Sequence, residues 1–248
     1  MEETNTFTKA LNKILDTLVG IFVILLILYS SYSLYTSFRL FSSGVASSDL
    51  LALKPDPEVK ELKESFSDLR KINEDVIGWI SVDNTNIDHP ILKGEDNMEY
   101  VNKDVYGNFA YEGSIFLDAR SSSDFKDPYS LIYGHHMEHG AMFGDLDKFK
   151  DKNFFDQNQK AYLISEDKKY DLKLFALSQS DGYDQYIFNP TSITNYQDQK
   201  KFIDYIKEKS INFRDIDLGE NQRIIALSTC QSDNISARLI LFGVIDVE

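Results

Sequence analysis

An uncharged stretch near the N-terminus restricts the fold of this chain more than any other feature. No charged residue occurs between Asp16 and Arg39. A helix over residues 17–38 rises about 33 Å, which matches the roughly 30 Å hydrocarbon core of a bilayer. We therefore predict a membrane anchor at residues 17–38. A cleaved signal peptide is the alternative, because residues 42–48 are small enough to attract a signal peptidase.

The basic residues on either side of the anchor indicate its orientation. Lys9 and Lys13 precede the anchor, whereas Arg39 is the only basic residue after it until Lys54. The positive-inside rule counts basic residues close to the span. We therefore predict a single-pass protein of the cell membrane in which residues 1–16 are cytoplasmic and the rest of the chain is extracellular.

The composition limits the classes of function. The formal net charge is −14, and this argues against a nucleic-acid partner because phosphate binding needs a basic surface. The chain has one cysteine, which cannot form an internal disulfide bond. An unpaired thiol on an extracellular domain points to a catalytic role.

Two segments connect the anchor to the main domain. A polar, Ser-rich stalk is predicted for residues 39–55, and an amphipathic helix for residues 56–72. Asp56 supplies the N-cap, Pro57 the first helical position, and apolar residues follow at helical spacing. We expect the helix to pack on the part of the chain that follows it. The helix and that part together form the predicted catalytic domain, residues 56–248.

Short runs of β-forming residues, separated by turn residues, make up most of that domain. Eight strands are predicted, at Gly78–Val82, His89–Leu92, Ser114–Leu117, Tyr129–Tyr133, Ala161–Ser165, Tyr170–Ser178, Arg223–Leu227 and Arg238–Val244. Eight short strands with few helices between them indicate a closed β-barrel. A helix capped by Asn195 is predicted between the sixth and seventh strands. The predicted fold class is mainly β with flanking helices (α+β).

The only cysteine and an arginine mark the ends of two neighbouring apolar runs. Cys230 ends the run that begins at Ile224, and Arg238 opens the run that continues to Val244. A thiol and a guanidinium at these strand ends would face each other across one loop. The thiolate is the nucleophilic form of cysteine, and a nearby positive charge or imidazole increases its reactivity.

Histidines supply a candidate base. His89 lies in a strand-like run and is interpreted as structural, whereas His135, His136 and His139 follow the predicted fourth strand directly. A histidine at that exit can reach Cys230. A metal site is the alternative, but the order is His-His-x-Glu-His rather than His-Glu-x-x-His, and glycines flank the segment. For His136 and His139 we favour surface positions without a catalytic role.

These residue types together support acyl transfer. The thiolate of Cys230 attacks a peptide carbonyl, an imidazolium protonates the departing amine, and Arg238 holds the substrate or stabilises the oxyanion. Water or an amine then releases the thioester, and the residues alone leave the acceptor open. A hydrolytic cysteine peptidase and a non-enzymatic surface-binding module are the rival hypotheses.

In the segments around these candidate catalytic residues, the chain resembles the sortases, the membrane-anchored cysteine transpeptidases of Gram-positive bacteria. The resemblance rests on Tyr133-Gly134-His135, Leu227-Ser228-Thr229-Cys230 and Arg238, in that order. Ala226 stands where the family has threonine. The amphipathic helix, Gly78-Trp79-Ile80 and the helix before the seventh strand are similar to class B.

The resemblance implies a site and a reaction. It selects His135, Cys230 and Arg238 as catalytic residues. It also implies a substrate groove lined by Asn97, Val101, Tyr186, Ile187 and Ser228, with the first two on one wall, the next two on the other and Ser228 at the base. The substrates would be surface proteins whose C-terminal sorting signal is cleaved after threonine and joined to an amine of peptidoglycan or of its lipid-linked precursor. No organic cofactor and no metal are expected.

Overall fold

The uncharged N-terminal stretch lies within one long helix. In the computed structural model α1 covers Glu2–Ser43, and its most apolar part, Leu11–Phe38, has a mean hydropathy of 2.3. Length and composition make this part a candidate membrane span, and it contains the predicted anchor. The structure describes residues 2–43, 46–56, 58, 61–220, 222–231 and 234–245. Residues 43–248 form a second unit, which is described by itself below.

The first residues of this second unit pack on it. The short helix α2 (Ser48–Leu51) begins where the Ser47 hydroxyl accepts a hydrogen bond from the Leu50 backbone N–H at 3.2 Å. Leu50 is buried in an apolar cluster with Phe66 and Trp79. The structure therefore assigns residues 46–53 to the domain, although the sequence analysis placed them in a stalk.

The amphipathic helix exists but begins later than predicted. Helix α3 covers Leu62–Ile72, and its N-cap residue is Glu61. Asp56 does not cap it, because its carboxylate accepts a local hydrogen bond from the Glu58 N–H at 2.9 Å. The predicted start at residue 56 was therefore wrong, and residues 57, 59 and 60 lie outside the described part. Phe66 and Leu69 bury the apolar face of the helix against the domain, as expected.

The apolar runs form one sheet. Its strands among the described residues are β1 (Val76–Val82), β2 (Asp88–Leu92), β3 (Ile115–Leu117), β4 (Tyr129–Tyr133), β5 (Lys160–Ser165), β6 (Lys169–Asp181), β7 (Ser210–Phe213), β8 (Arg223–Gln231) and β9 (Asn234–Ile245). Eight strands follow each other in the order β5-β1-β2-β3-β4-β8-β9-β6, and β6 pairs back to β5. The predicted eight-stranded barrel is thereby confirmed. The short β7 pairs with β6 as an additional strand.

Most neighbours in the barrel are antiparallel, and two pairs are parallel. The parallel pairs are β2–β3 and β4–β8. Parallel neighbours end at the same edge of a sheet, so β4 and β8 release their following residues on the same side of the barrel.

Alternate residues of β8 serve two apolar clusters. Ile225 and Leu227 belong to a cluster that fills the interior and contains residues from each of the eight barrel strands. Ile224 and Ala226 belong to a second cluster on the outer face of the wall. This period of two is the normal alternation of a strand, and it assigns Ser228 to the outer face.

A helix covers the outer cluster. Helix α5 (Tyr196–Lys209) begins where the Asn195 side chain accepts from the Asp198 N–H at 3.0 Å, which confirms the predicted cap. It buries Phe202 and Ile206 in the outer cluster. The remaining helices are α4 (Lys152–Gln157) and three short 3₁₀ segments, Glu138–Gly140, Gly144–Lys150 and Pro190–Ser192.

Candidate active site

Three adjacent strands bring the predicted catalytic positions together. Tyr133 of β4 is the parallel register partner of Ser228 in β8. Cys230 of β8 is the antiparallel register partner of Arg238 in β9. His135 lies two residues beyond Tyr133, as Cys230 lies two beyond Ser228, so the backbone places all three predicted residues at one end of the barrel.

Gly134 carries the chain from β4 to the histidine. Its N–H donates to the Ser228 carbonyl at 3.1 Å, so the two strands stay joined beyond Tyr133. A Cβ at position 134 would lie only 2.8 Å from Phe143 Cδ2 and would also meet the Ile115 side chain. Glycine is therefore needed here for close packing. The His135 carbonyl accepts from the Phe143 N–H at 3.0 Å, which fixes the backbone on the other side.

The imidazole of His135 is half-buried beside a fixed positive charge. Burial lowers the pKa of His135, the charge of Arg238 lowers it further, and the negative charge of Glu112 opposes both effects. The net pKa lies below the ordinary value of histidine. A less basic imidazolium gives up its proton more readily, which suits a general acid.

Arg238 lines a cavity together with His135. Its neighbours along β9, Ile240 and Phe242, belong to the outer cluster, so strand alternation directs Arg238 to the outer face as well. The backbone of Cys230 is described, whereas its side chain lies outside the part of the chain that the structure describes.

The cavity at this end of the barrel has a volume of about 360 Å³. The described residues that line it are Asn97, Met98, Val101, Phe116, Tyr133, Gly134, His135, Gly182, Phe188, Ser228 and Arg238. Three of the five predicted substrate-binding residues are among them, namely Asn97, Val101 and Ser228. The Ser228 hydroxyl is buried and has no hydrogen-bond partner among the described residues, so it is available to a ligand.

The other two predicted groove residues lie elsewhere. Ile187 is fully buried in the outer cluster, and its carbonyl accepts from the Tyr129 hydroxyl at 3.0 Å. Tyr186 packs edge-on against Phe202 and Tyr205. Both side chains therefore stabilise the layer under α5 and do not line the cavity. Gly182 and Phe188, from the same connection, are among the described residues that line the cavity.

Two polar residues in or next to the cavity, Tyr133 and Asp118, were not predicted from the sequence. Tyr133 lines the cavity, and its hydroxyl donates to the carboxylate of Asp118 at 3.0 Å. Strand alternation, counted back from His135, would have found Tyr133. Asp118 follows β3 directly, but nothing local in the sequence separates it from other loop aspartates.

The side chains of the histidine segment have different surroundings. His136 Nε2 lies 2.8 Å from Asp147 Oδ2, whereas His139 is exposed and has a positive φ of 59°. In the part of the chain that the structure describes, no group of three or more His, Cys, Asp or Glu side chains is placed to hold a metal ion.

Comparisons with known proteins agree on one family. The Sortase domain model matches residues 80–246 of this chain. Sortase B of Listeria monocytogenes is 32% identical over 185 residues, which are 74% of this chain and 74% of that protein. A solved class B sortase of Streptococcus pyogenes, involved in pilus biogenesis, is 39% identical, with a TM-score of 0.68 over 77% of this chain and 100% of that chain.

Two solved complexes of sortase B, the first of them from Staphylococcus aureus, are also similar to this chain. One is a complex with a substrate, at 29% identity and a TM-score of 0.68 over 77% of this chain and 89% of that chain. The other is a complex with triglycine, at 29% identity and a TM-score of 0.68 over 77% of this chain and 90% of that chain.

Proposed function

The chain belongs to the sortase family and is a class B sortase, a cysteine transpeptidase, and we propose that Cys230, His135 and Arg238 carry out its reaction. The observation that supports this assignment is the strand register. Tyr133 pairs with Ser228, and Cys230 pairs with Arg238, at the end of the barrel where the cavity lies. The matches give no support to the rival hypotheses of a hydrolytic peptidase and a non-enzymatic binding module.

The first half-reaction forms a thioester. The Cys230 sulfur attacks the carbonyl carbon of the scissile amide, and negative charge develops on the carbonyl oxygen. Arg238, a permanent cation with several donors, stabilises this oxyanion. His135 then gives its proton to the departing amine, the C–N bond breaks, and the acyl group stays on sulfur.

The second half-reaction releases the acyl group to an amine. The neutral amine attacks the thioester carbonyl, His135 accepts the proton that the nitrogen loses, and the C–S bond breaks. Thiol and imidazole interact, so their protonation states belong to the pair rather than to either residue. The charge of Arg238 lowers the pKa of His135, so the imidazolium of the thiolate–imidazolium form gives its proton to the leaving amine more readily.

The cavity binds the sorting signal of the substrate protein. Asn97, Val101 and Phe188 line it, and the Ser228 hydroxyl, which has no hydrogen-bond partner among the described residues, offers a hydrogen bond to the peptide. These contacts suit an extended peptide with its scissile amide next to His135. The relative from Staphylococcus aureus has been solved with a substrate, which supports the same use of this cavity.

The acceptor is an amine of peptidoglycan or of its lipid-linked precursor. The solved complex of a similar sortase B with triglycine supports an amine nucleophile. The relative from Streptococcus pyogenes acts in pilus biogenesis, so a lysine amine of a pilus subunit is the second candidate acceptor.

Helix α1 anchors the enzyme in the cell membrane. Its apolar part is long enough to cross a bilayer. Lys9 precedes that part and Lys13 lies near its start, so both lysines are on its N-terminal side. We assign the N-terminus to the cytoplasm and the catalytic domain to the cell surface, where its substrates are.

A peptide library tests the chemistry directly. The full chain in detergent is incubated with sorting-signal peptides that differ at each position, and intact protein is analysed by mass spectrometry. The expected product is an adduct on Cys230 whose mass equals the N-terminal peptide fragment less one water. Cys230→Ala and His135→Gln should form no adduct, whereas the matched control His139→Gln, at an exposed position, should react like the wild type.

The acceptor is identified in the same assay. Triglycine and a lysine-containing peptide are added in turn, and the ligated products are quantified. Ligation to triglycine supports peptidoglycan, and ligation to lysine alone supports a pilus subunit. Release by water only, with both amines present, or cleavage by Cys230→Ala would contradict the proposed transpeptidase mechanism.

A further inference from the structure

A buried carboxylate lies behind the cavity. Asp118 follows β3, and its side chain is 0% exposed. Its Oδ2 accepts from the Tyr133 hydroxyl at 3.0 Å and from Asn97 Nδ2 at 3.0 Å. Tyr133 and Asn97 line the cavity, whereas Asp118 is not among the described residues that line it. The carboxylate therefore contacts the substrate site only through other side chains.

Arg120 neutralises this carboxylate and connects it to Phe188, another residue that lines the cavity. Its Nη2 lies 2.7 Å from Asp118 Oδ2, and its Nε donates to Oδ1 at 2.8 Å. The same Nη2 donates to the Phe188 carbonyl at 2.7 Å. One ion pair thus contacts the side chains of Asn97 and Tyr133 and the backbone of Phe188, three residues that line the cavity.

The charge on Asp118 is maintained in spite of burial. Burial raises the pKa of Asp118, but the hydrogen bonds and charge of Arg120 and the hydrogen bond of Asn97 outweigh it, and the pKa lies below the ordinary value. Asp118 is buried and Arg120 is partly exposed, and such a pair contributes little net stability, because desolvation of the carboxylate and screening of the guanidinium offset the attraction. A role in orienting neighbouring groups accounts better for its presence.

We propose that Asp118 is a positioning residue that orients Tyr133 and Asn97 in the substrate groove and, through Arg120, holds the Phe188 wall. This inference rests on the proposed function of the cavity as the sorting-signal site. Because the carboxylate takes the phenolic hydrogen, the Tyr133 oxygen presents lone pairs to the substrate. The Asn97 amide is fixed as well, since its Oδ1 accepts from the Ala119 N–H at 2.7 Å.

The principal test is Asp118→Asn in the full chain in detergent. The substitution keeps the shape of the side chain and removes its charge. Tyr133 and Asn97 would then lose their hydrogen bonds to a charged group, and the groove that they line would be less well ordered. We expect the KM for a sorting-signal peptide to rise about tenfold. The kcat should change little, because the groove binds ground state and transition state alike. Alkylation of Cys230 by iodoacetamide should proceed at the wild-type rate, since the nucleophile is untouched.

Tyr133→Phe gives an independent measurement. It removes only the hydroxyl that Asp118 holds, and it should also raise KM. The double variant should lose less than the sum of the two single losses, as expected for residues that act as one unit. The matched controls are Asp75→Asn and Tyr100→Phe. Tyr100 donates to Asp75 at 2.5 Å and neither residue is among those lining the cavity, so KM should stay at the wild-type value.

The outcomes separate this inference from the proposed function. Wild-type KM in Asp118→Asn, or a parallel fall in kcat and alkylation rate, would overturn the positioning role. If Asp118→Asn does not fold, Tyr133→Phe decides: a raised KM supports the inference and an unchanged KM refutes it. A wild-type protein that forms no adduct, or a Cys230→Ala variant that still cleaves, refutes the proposed function instead.

Discussion

Tyr133 and Ser228 are register partners in the parallel pair of β4 and β8, and this pairing places the backbones of His135 and Cys230 at the same end of the barrel. Strand β4 ends at Tyr133, whereas β8 continues to Gln231. The Gly134 N–H bonds to the Ser228 carbonyl at 3.1 Å, so the strands have not yet separated there. The proposed base and the proposed nucleophile, far apart in the sequence, therefore follow strand ends that backbone hydrogen bonds hold together.

Gly134→Ala tests whether that backbone path positions the base. The added Cβ would lie 2.8 Å from Phe143 Cδ2, so the His135 segment must shift. A displacement of about 1 Å at a catalytic group costs about 100-fold in rate. We expect kcat to fall by about this factor in the peptide assay. Gly219→Ala is the matched control, because its Cβ has no neighbour closer than 3.8 Å; equal activity of both variants would contradict the prediction.

Arg238→Gln tests the charge beside His135. A cation disfavours the imidazolium, and its removal should raise the pKa of His135 from its lowered value. An NMR titration of labelled histidine should show a midpoint at higher pH than in the wild type. Loss of the oxyanion donor should lower kcat by about 100- to 1000-fold.

Arg238→Lys separates charge from geometry. Lysine keeps the positive charge, so the His135 midpoint should stay near the wild-type value. It lacks the planar fork of donors, so kcat should still fall. A midpoint that does not respond to Arg238→Gln would show that the guanidinium charge does not act on His135.

The barrel was predictable from sequence because its signal is local and repeated. Alternating apolar residues between turn residues specify a strand and its inward face without reference to distant contacts. In β8 the run from Ile224 to Leu227 is apolar throughout because both of its faces are buried, Ile225 and Leu227 in the interior and Ile224 and Ala226 in the outer cluster. The start of α3 was missed because Asp56-Pro57 is also a good turn, and here the local hydrogen bond to Glu58 prevailed.

The residues that line the groove were predicted less well, because loop sequences have no regular spacing of apolar residues. Tyr186 and Ile187 lie in the connection after β6, where the choice between cavity and core depends on tertiary contacts with Tyr129 and Phe202. Phe188, the next residue, lines the cavity instead. Asp118 was missed for the same reason, since its role follows from partners distant in the sequence.

The orientation of the membrane anchor can be tested by thiol labelling. The chain has one cysteine, so Cys230→Ala provides a background without thiols. In that background Tyr183→Cys, at a position whose side chain is 81% exposed, should react with a membrane-impermeant maleimide on intact cells. Thr6→Cys should react only after the cells are permeabilised, because the predicted N-terminus is cytoplasmic. The reverse pattern would show the opposite orientation.

His89 should make the domain sensitive to mild acid. The imidazole is buried, its Nε2 has no hydrogen-bond partner among the described residues, and burial lowers its pKa to about 4 against the opposing charge of Asp88. Between pH 6.5 and pH 4 the unfolded chain binds a proton at this position and the folded chain does not. The free energy of unfolding should therefore fall by about 3 kcal/mol as the pH drops through this window.

Urea unfolding of His89→Leu at several pH values measures this contribution. The variant should lose most of the slope between pH 6.5 and pH 4, whereas the exposed His139→Gln should keep it. Burial raises the pKa values of Asp124 and Asp184, but hydrogen bonds and nearby lysines outweigh it and lower both pKa values to about 2. The stability that these carboxylates contribute is therefore lost below pH 3.8, outside the window in which His89 acts. A wild-type slope in His89→Leu would assign the acid sensitivity to other groups.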